Sequence, residues 1–163
     1  AGVRPRLATF SAALACLPPP SPAPPRGRAR SSAELVQRLR DALIEGSAGG
    51  AGVRPEDIAI ITPYTAQVRV LRELMNHDAV EIGSIDGFQG REKEAVIISL
   101  VRSNNDNEIG FLKDTRRMNV ALTRARRKLI VIGDSSTISS HPFYSGLLEH
   151  FDAIDAYHGV WDE

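Results

Sequence analysis

The chain has 163 residues, 42% of them hydrophobic and 25% charged, which suits one ordinary globular domain. Its zero net charge excludes a uniformly basic nucleic-acid binder, yet that zero is a cancellation: residues 1–33 hold five arginines and no acid, and the remainder carries −5. The single cysteine, Cys16, excludes an internal disulfide and fits a reducing compartment, and no apolar run approaches the ~18 residues that span a bilayer.

In chain order, the first thirty residues differ from the rest. LPPPSPAPPRGRARSS holds most of the ten prolines, a composition that does not pack a core, and so predicts a disordered lead over residues 1–30. Free of acids and rich in Arg and Ser, the lead faintly resembles an organelle transit peptide, although the chain begins with Ala rather than Met. The pentad AGVRP also recurs, at residues 1–5 and 51–55. A compact domain is predicted over 31–155, with a short tail over 156–163.

Ser31 and Glu34 have the spacing of a capping box, and Leu35, Leu39 and Leu43 recur at helical spacing until Gly46. After the flexible GSAGGAG, residues 57–61 (DIAII) read as a strand buried on both faces, ending at Thr62-Pro63-Tyr64. A helix follows with Val68, Leu71 and Met75 on one side. Strands are predicted over 80–84 and 95–101. A basic helix over 116–128 carries six basic residues in thirteen, and leads into a strand over 129–133. Pro142 opens a last helix with Phe143, Leu147, Leu148 and Phe151 inside. The alternation predicts an α/β fold, a doubly wound and mostly parallel sheet with helices on both faces. Such sheets take ligands beyond the carboxyl ends of their strands, which directs attention to Tyr64, to the loop after Ser84 and to residues 102–104.

That loop reads IDGFQGREKE. Gly87 and Gly90 allow tight turns that present N–H groups to an anion, while Asp86, Gln89, Arg91 and Glu92 supply polar handles. Alone, a polar loop between strands is ordinarily a connection, and a basic helical face ordinarily meets water. Phe88 reads as a core anchor. His77, His141, His150 and His158 lack metal-ligand spacing, so no protein-bound metal is expected.

Taken together, ITPYTAQVRVLR, SIDGFQGREKEAVIISLVRSN and RRMNVALTRARRKLIVIGD resemble motifs IV, V and VI of superfamily 1 helicases. They look nearest to the branch that contains the nonsense-mediated-decay and immunoglobulin-mu-binding helicases. The resemblance implies a RecA-like fold, the second of two such domains that clamp ATP and walk along a nucleic-acid strand. It implies Arg124 as the catalytic arginine finger, with Arg117 two helical turns earlier on nearly the same face. It implies ATP contacts by Tyr64 (stacking on adenine), Gln67, Gly90 and Glu92. Ser84, Asp86, Gln89, Arg102 and Asn104, with Ser103, become candidates for the strand or for coupling it to the ATP cleft. Arg127 and Lys128 are read as the solvated end of the basic helix.

The sequence has no G-x-x-x-x-G-K-[ST] loop and no Asp-Glu pair after an apolar strand. The resemblance assigns those parts, and the Mg2+ that accompanies ATP, to a first RecA domain upstream. The expected partners are therefore that domain and single-stranded DNA or RNA, gripped mostly by its backbone, with 5′ to 3′ movement, no membrane and nuclear or cytoplasmic residence. The alternative expectation is a stand-alone, non-catalytic RecA-like module that binds nucleic acid or another helicase.

Overall fold

β-branched runs without polar alternation have to be covered on both sides, and they form the centre of the computed structural model. The model describes residues 11–16, 25–46, 52–75, 79–100 and 106–159. Strands β2 (Ile58–Thr62), β4 (Lys93–Ser99) and β5 (Ala125–Gly133) lie side by side, and all five β2 residues are buried. β3 (Glu81–Ser84) flanks β2, while β1 (Ser11–Cys16) and β6 (Tyr157–Gly159) extend the sheet beyond β5, giving the order β3-β2-β4-β5-β1-β6. Each pairing is parallel. Register sets Ile58 against Ala95, and Lys93 against Ala125.

Alternate side chains divide the core. One face gathers Ile58, Ile60, Ile97, Ile130 and Ile132 under α1 (Pro25–Glu45) and α2 (Thr65–Leu74), through Val36, Leu43, Val68 and Leu71. The other gathers Ile61, Val96, Ile98 and Val131 under α3 (Thr115–Leu122) and α5 (Pro142–Ala153), through Met118, Ala121, Tyr144 and Phe151. A short α4 (Ser135–Ile138) precedes α5, its N-terminus capped by Asp134, which accepts from the Ser136 N–H at 3.0 Å. This is the doubly wound α/β arrangement expected from the sequence. Among the described residues, no helix is long and apolar enough to cross a membrane.

Four expectations need correction. Residues 11–16 of the predicted disordered lead form β1, paired with β5 from Ser11↔Lys128 to Cys16↔Gly133, because SAALAC is a short apolar run of the kind an interior parallel strand requires. α1 also starts at Pro25, ahead of the capping-box serine, and stops as expected at Gly46, whose φ of 80° suits glycine. The tail is partly structured, since Tyr157–Gly159 forms β6 against β1.

The largest correction concerns the basic helix. It ends at Leu122, and Ala125 already belongs to β5. The Thr123 hydroxyl donates to Val120 O at 3.0 Å, and Lys93 N donates to Arg124 O at 3.0 Å, so sheet pairing captures the backbone where no Gly or Pro marks a stop. Arg126, Arg127 and Lys128 therefore stand on a strand and not at a helix C-terminus.

At the β3 end of the sheet, the Arg72 guanidinium donates to Ile82 O at 2.9 Å.

Candidate functional site

The loop between β3 and β4 determines where the site lies. It leaves the carboxyl end of β3, drops Phe88 into the core beside Ala59 and Ile61, and arrives at the amino end of β4. Phe88 is 1% exposed, the anchor the sequence suggested. The loop thus connects both ends of the sheet, and the expected site residues fall into two groups.

At the amino ends lie Gly90, Arg91, Glu92, Arg124 and Arg126. Gly90 has φ +78°, and nothing stands within 4 Å of where its Cβ would be, so the backbone there is open. Arg91 braces the loop: it pairs with Glu81, donates to Gly87 O at 2.5 Å and lies 4.8 Å from the Phe88 ring centroid. Lys93 lies 3.4 Å from Glu81. Arg126 pairs with Glu92 at 3.2 Å, and Arg127 with Glu94 at 2.9 Å. Arg124 differs from all of these. Its guanidinium donates to Val120 O at 2.9 Å, Arg91 O at 3.2 Å and the Thr123 hydroxyl at 3.1 Å. Those are neutral oxygens. Among the described residues Arg124 has no carboxylate partner, while its four basic neighbours each have one.

At the carboxyl ends lie Tyr64, Ser84, Asp86 and Arg117. Tyr64 is half-buried just past β2, with its ring 6.3 Å from that of Phe111 at 59°. Arg117, in the first turn of α3, lies 3.6 Å from Asp86 and 3.3 Å from Asp114, with its guanidinium 4.8 Å from the Phe111 centroid. Asp114 caps α3 by accepting from Arg117 N at 3.3 Å. Below, the Tyr144 phenol donates to Leu112 O at 2.6 Å, and burial, chiefly, pushes its pKa well above the usual value, with Tyr64 and Asp114 adding to the shift.

The structure therefore does not bring together everything the sequence grouped. Arg117 and Arg124 do not share a helical face, because Arg124 lies beyond the end of α3. Arg117 stays at the carboxyl edge with Asp86. Tyr64 and the buried Gln67 lie at the end opposite Gly90, Glu92 and Arg124. From the level of Lys93 to that of Ser99 the sheet rises six residues, roughly 20 Å. Ser84 ends β3 half-buried and Gln89 is exposed mid-loop. Arg102, Ser103 and Asn104 lie outside the described residues. Sequence reasoning missed Phe111, Asp114, and the Arg124–Arg91 and Arg126–Glu92 contacts. The last two join residues 33 and 34 apart, with no local spacing to betray them.

A shallow cleft lined by Ser136, Leu148, Glu149, Asp152 and Tyr157 lies beside β6. Its two carboxylates make it a poor match for a phosphate.

Comparison with known proteins places these observations. The chain matches the family described as AAA domain over residues 27–136. It is 54% identical over 103 residues to the DNA-binding protein SMUBP-2 of Rattus norvegicus, a match that covers 62% of this chain and 10% of that protein. It is 40% identical over 131 residues to a regulator of nonsense transcripts 1 homolog of Arabidopsis thaliana, covering 75% and 10%. The chain thus spans about a tenth of the length of these curated relatives. Among solved structures, the C-terminal domain of a possible DNA helicase from Lactobacillus strain WCFS1 superposes with a TM-score of 0.50 at 13% identity, over 93% of this chain and 84% of that one, a likeness of fold.

Proposed function

Because this chain belongs to the AAA domain family, among the superfamily 1 helicase C-terminal domains near the nonsense-mediated-decay and immunoglobulin-mu-binding branch, we propose that it is the arginine-donating half of an ATP-driven helicase. The observation that carries this reading is Arg124, a cation with no carboxylate partner among the described residues, held by three neutral oxygens in a neighbourhood where Arg91, Lys93, Arg126 and Arg127 each have a carboxylate contact. A guanidinium whose position is already set can meet charge developing on a transferring phosphoryl group without reorganising.

The rest of the amino edge suits a nucleotide. Gly90 leaves room for a phosphate to approach the backbone, and Glu92 offers a carboxylate to a ribose hydroxyl once Arg126 releases or shares it. ATP would be met here by Arg124, Gly90 and Glu92, with hydrolysis supplying the free energy for strand movement. The Mg2+ that accompanies ATP, bound through the phosphates and one or two carboxylates, falls in this reading to an opposing RecA-like domain, which also supplies the phosphate loop. Tyr64 stands too far along the sheet to be the first choice for the adenine of that nucleotide. The strand, DNA or RNA, is assigned to the carboxyl edge with Ser84, Asp86 and Gln89.

The test joins this chain to a phosphate-loop domain and measures nucleic-acid-stimulated ATP hydrolysis. Arg124→Ala is expected to lower kcat by about 10³-fold or more, with a much smaller change in nucleotide affinity. Arg127→Ala, on a side chain 80% exposed, is expected to leave kcat unchanged. Equal effects of the two substitutions would reduce Arg124 to one charge among several and end the assignment.

A further inference from the structure

Phe111 lies partly exposed at the carboxyl edge of the sheet. At 37% exposure it is one of two large hydrophobic side chains exposed among the described residues, the other being Ile154, just past the end of α5. Its immediate neighbours are not loose. Ile109 and Leu112, on the same short turn, are 3% and 1% exposed, and the buried Tyr144 phenol holds the Leu112 carbonyl at 2.6 Å. The turn is therefore fixed from below, and Phe111 is held outward on a rigid base. Tyr64 stands beside it with a tilted ring at 6.3 Å, and the Arg117 guanidinium lies 4.8 Å from its centroid. Lys113 and Arg116, both exposed, flank the same turn. All of this lies beyond the carboxyl ends of parallel strands, where sheets of this type receive ligands.

We infer that Phe111 and Tyr64 form a base-stacking platform for single-stranded nucleic acid, with Lys113 and Arg116 meeting the adjoining phosphates. This rests on the reading that the chain handles a strand, and deepens it by naming what the bases touch. An aromatic ring accepts any base, because every base has a π-face, so the platform grips without reading sequence. Arg117, already shared between Asp86 and Asp114, keeps the Phe111 ring in place and is not the phosphate contact.

The probe is a short oligothymidylate carrying one 2-aminopurine, titrated at low salt onto the 163-residue chain, with an otherwise identical abasic oligonucleotide as competitor. Wild type is expected to quench the 2-aminopurine and to bind the abasic strand more weakly. Phe111→Leu and Tyr64→Leu, which keep apolar bulk, should each weaken binding by about tenfold and lose much of the quench, while Phe111→Tyr should retain both. Wild-type affinity and quench in both leucine variants would overturn the platform and leave strand binding standing. AMP that displaces the oligonucleotide from wild type but not from Tyr64→Leu would make the platform an adenine site, and would also overturn it. No oligonucleotide binding by wild type would overturn the strand reading itself.

Discussion

Arg124 reaches across the chain to Arg91: its Nη1 donates to the Arg91 carbonyl at 3.2 Å, between residues 33 apart in sequence. One loop thus carries two duties, since the backbone that passes Gly90 also holds the arginine presented beside it. A lysine at 124 has one ammonium in place of a planar fork, and cannot serve Val120 O, Arg91 O and the Thr123 hydroxyl together while facing a phosphate. In the joined enzyme, Arg124→Lys is expected to stay within about tenfold of Arg124→Ala in kcat, far below wild type. Steady-state hydrolysis decides it, and near-wild-type turnover in the lysine variant would show that charge alone suffices.

Gly90 separates conformation from contact. With φ +78° and nothing within 4 Å of a Cβ, Gly90→Ala creates no clash and costs only the left-handed backbone, about 1 kcal/mol. Gly87→Ala, whose Cβ would meet Ser84 Oγ at an ordinary 3.8 Å, is expected to cost less. Thermal melts of the two variants compare them directly. Matching losses would place the cost in general loop rigidity.

Tyr144 gives the fold an alkaline dependence. Burial raises its pKa, so the folded chain keeps the phenolic proton at a pH where the unfolded chain has released it. Above about pH 10, the unfolded state therefore binds fewer protons than the native state, and stability from this group falls as pH rises. Tyr144→Phe removes that dependence and, near neutral pH, loses the hydrogen bond to Leu112 O for about 1 kcal/mol. Urea unfolding at pH 8 and above pH 10 should show the gap between wild type and variant narrowing. A constant gap would mean that the phenol does not titrate differently on unfolding.

Asp134 is 1% exposed, and accepts from Ser136 N at 3.0 Å, from the Ser136 hydroxyl at 2.6 Å and from the Thr137 hydroxyl at 3.0 Å. Asp134→Ala leaves those donors without their acceptor at a helix start, and is expected to cost about 2 kcal/mol in denaturant unfolding. Asp134→Asn, which keeps an acceptor oxygen, should recover part of it. A neutral alanine variant would show that water replaces the carboxylate freely.

The core was legible because two-sided apolar strands have a signature: IAII, AVII and LIVI each sit where their composition put them. The helix stop at Leu122 was not, because no Gly or Pro marks it and the decision belongs to the ladder between Lys93 and Ala125. Ser11–Cys16 was obscured by its proline-rich neighbour, although its own six residues hold no proline. For the site, single residues were readable and their grouping was not. Gly90, Glu92 and Arg124 do converge, whereas Tyr64 and Arg117 are separated from them by the rise of the sheet. That separation follows from a loop crossing the sheet, which depends on where Phe88 is buried rather than on any spacing along the chain.

β3 bears on how copies of the chain behave toward one another. A strand at the margin of a parallel sheet shows backbone groups to whatever extended segment drifts past, and continuous apolar margins seed aggregates. This one is only four residues long, begins with a charged Glu81, and has the Ile82 carbonyl already taken by Arg72 from the neighbouring helix. An incoming strand would have to displace a guanidinium and lie against the Glu81 carboxylate for a very short ladder. The same arginine that looks like surface decoration on α2 therefore masks one backbone acceptor of this edge strand.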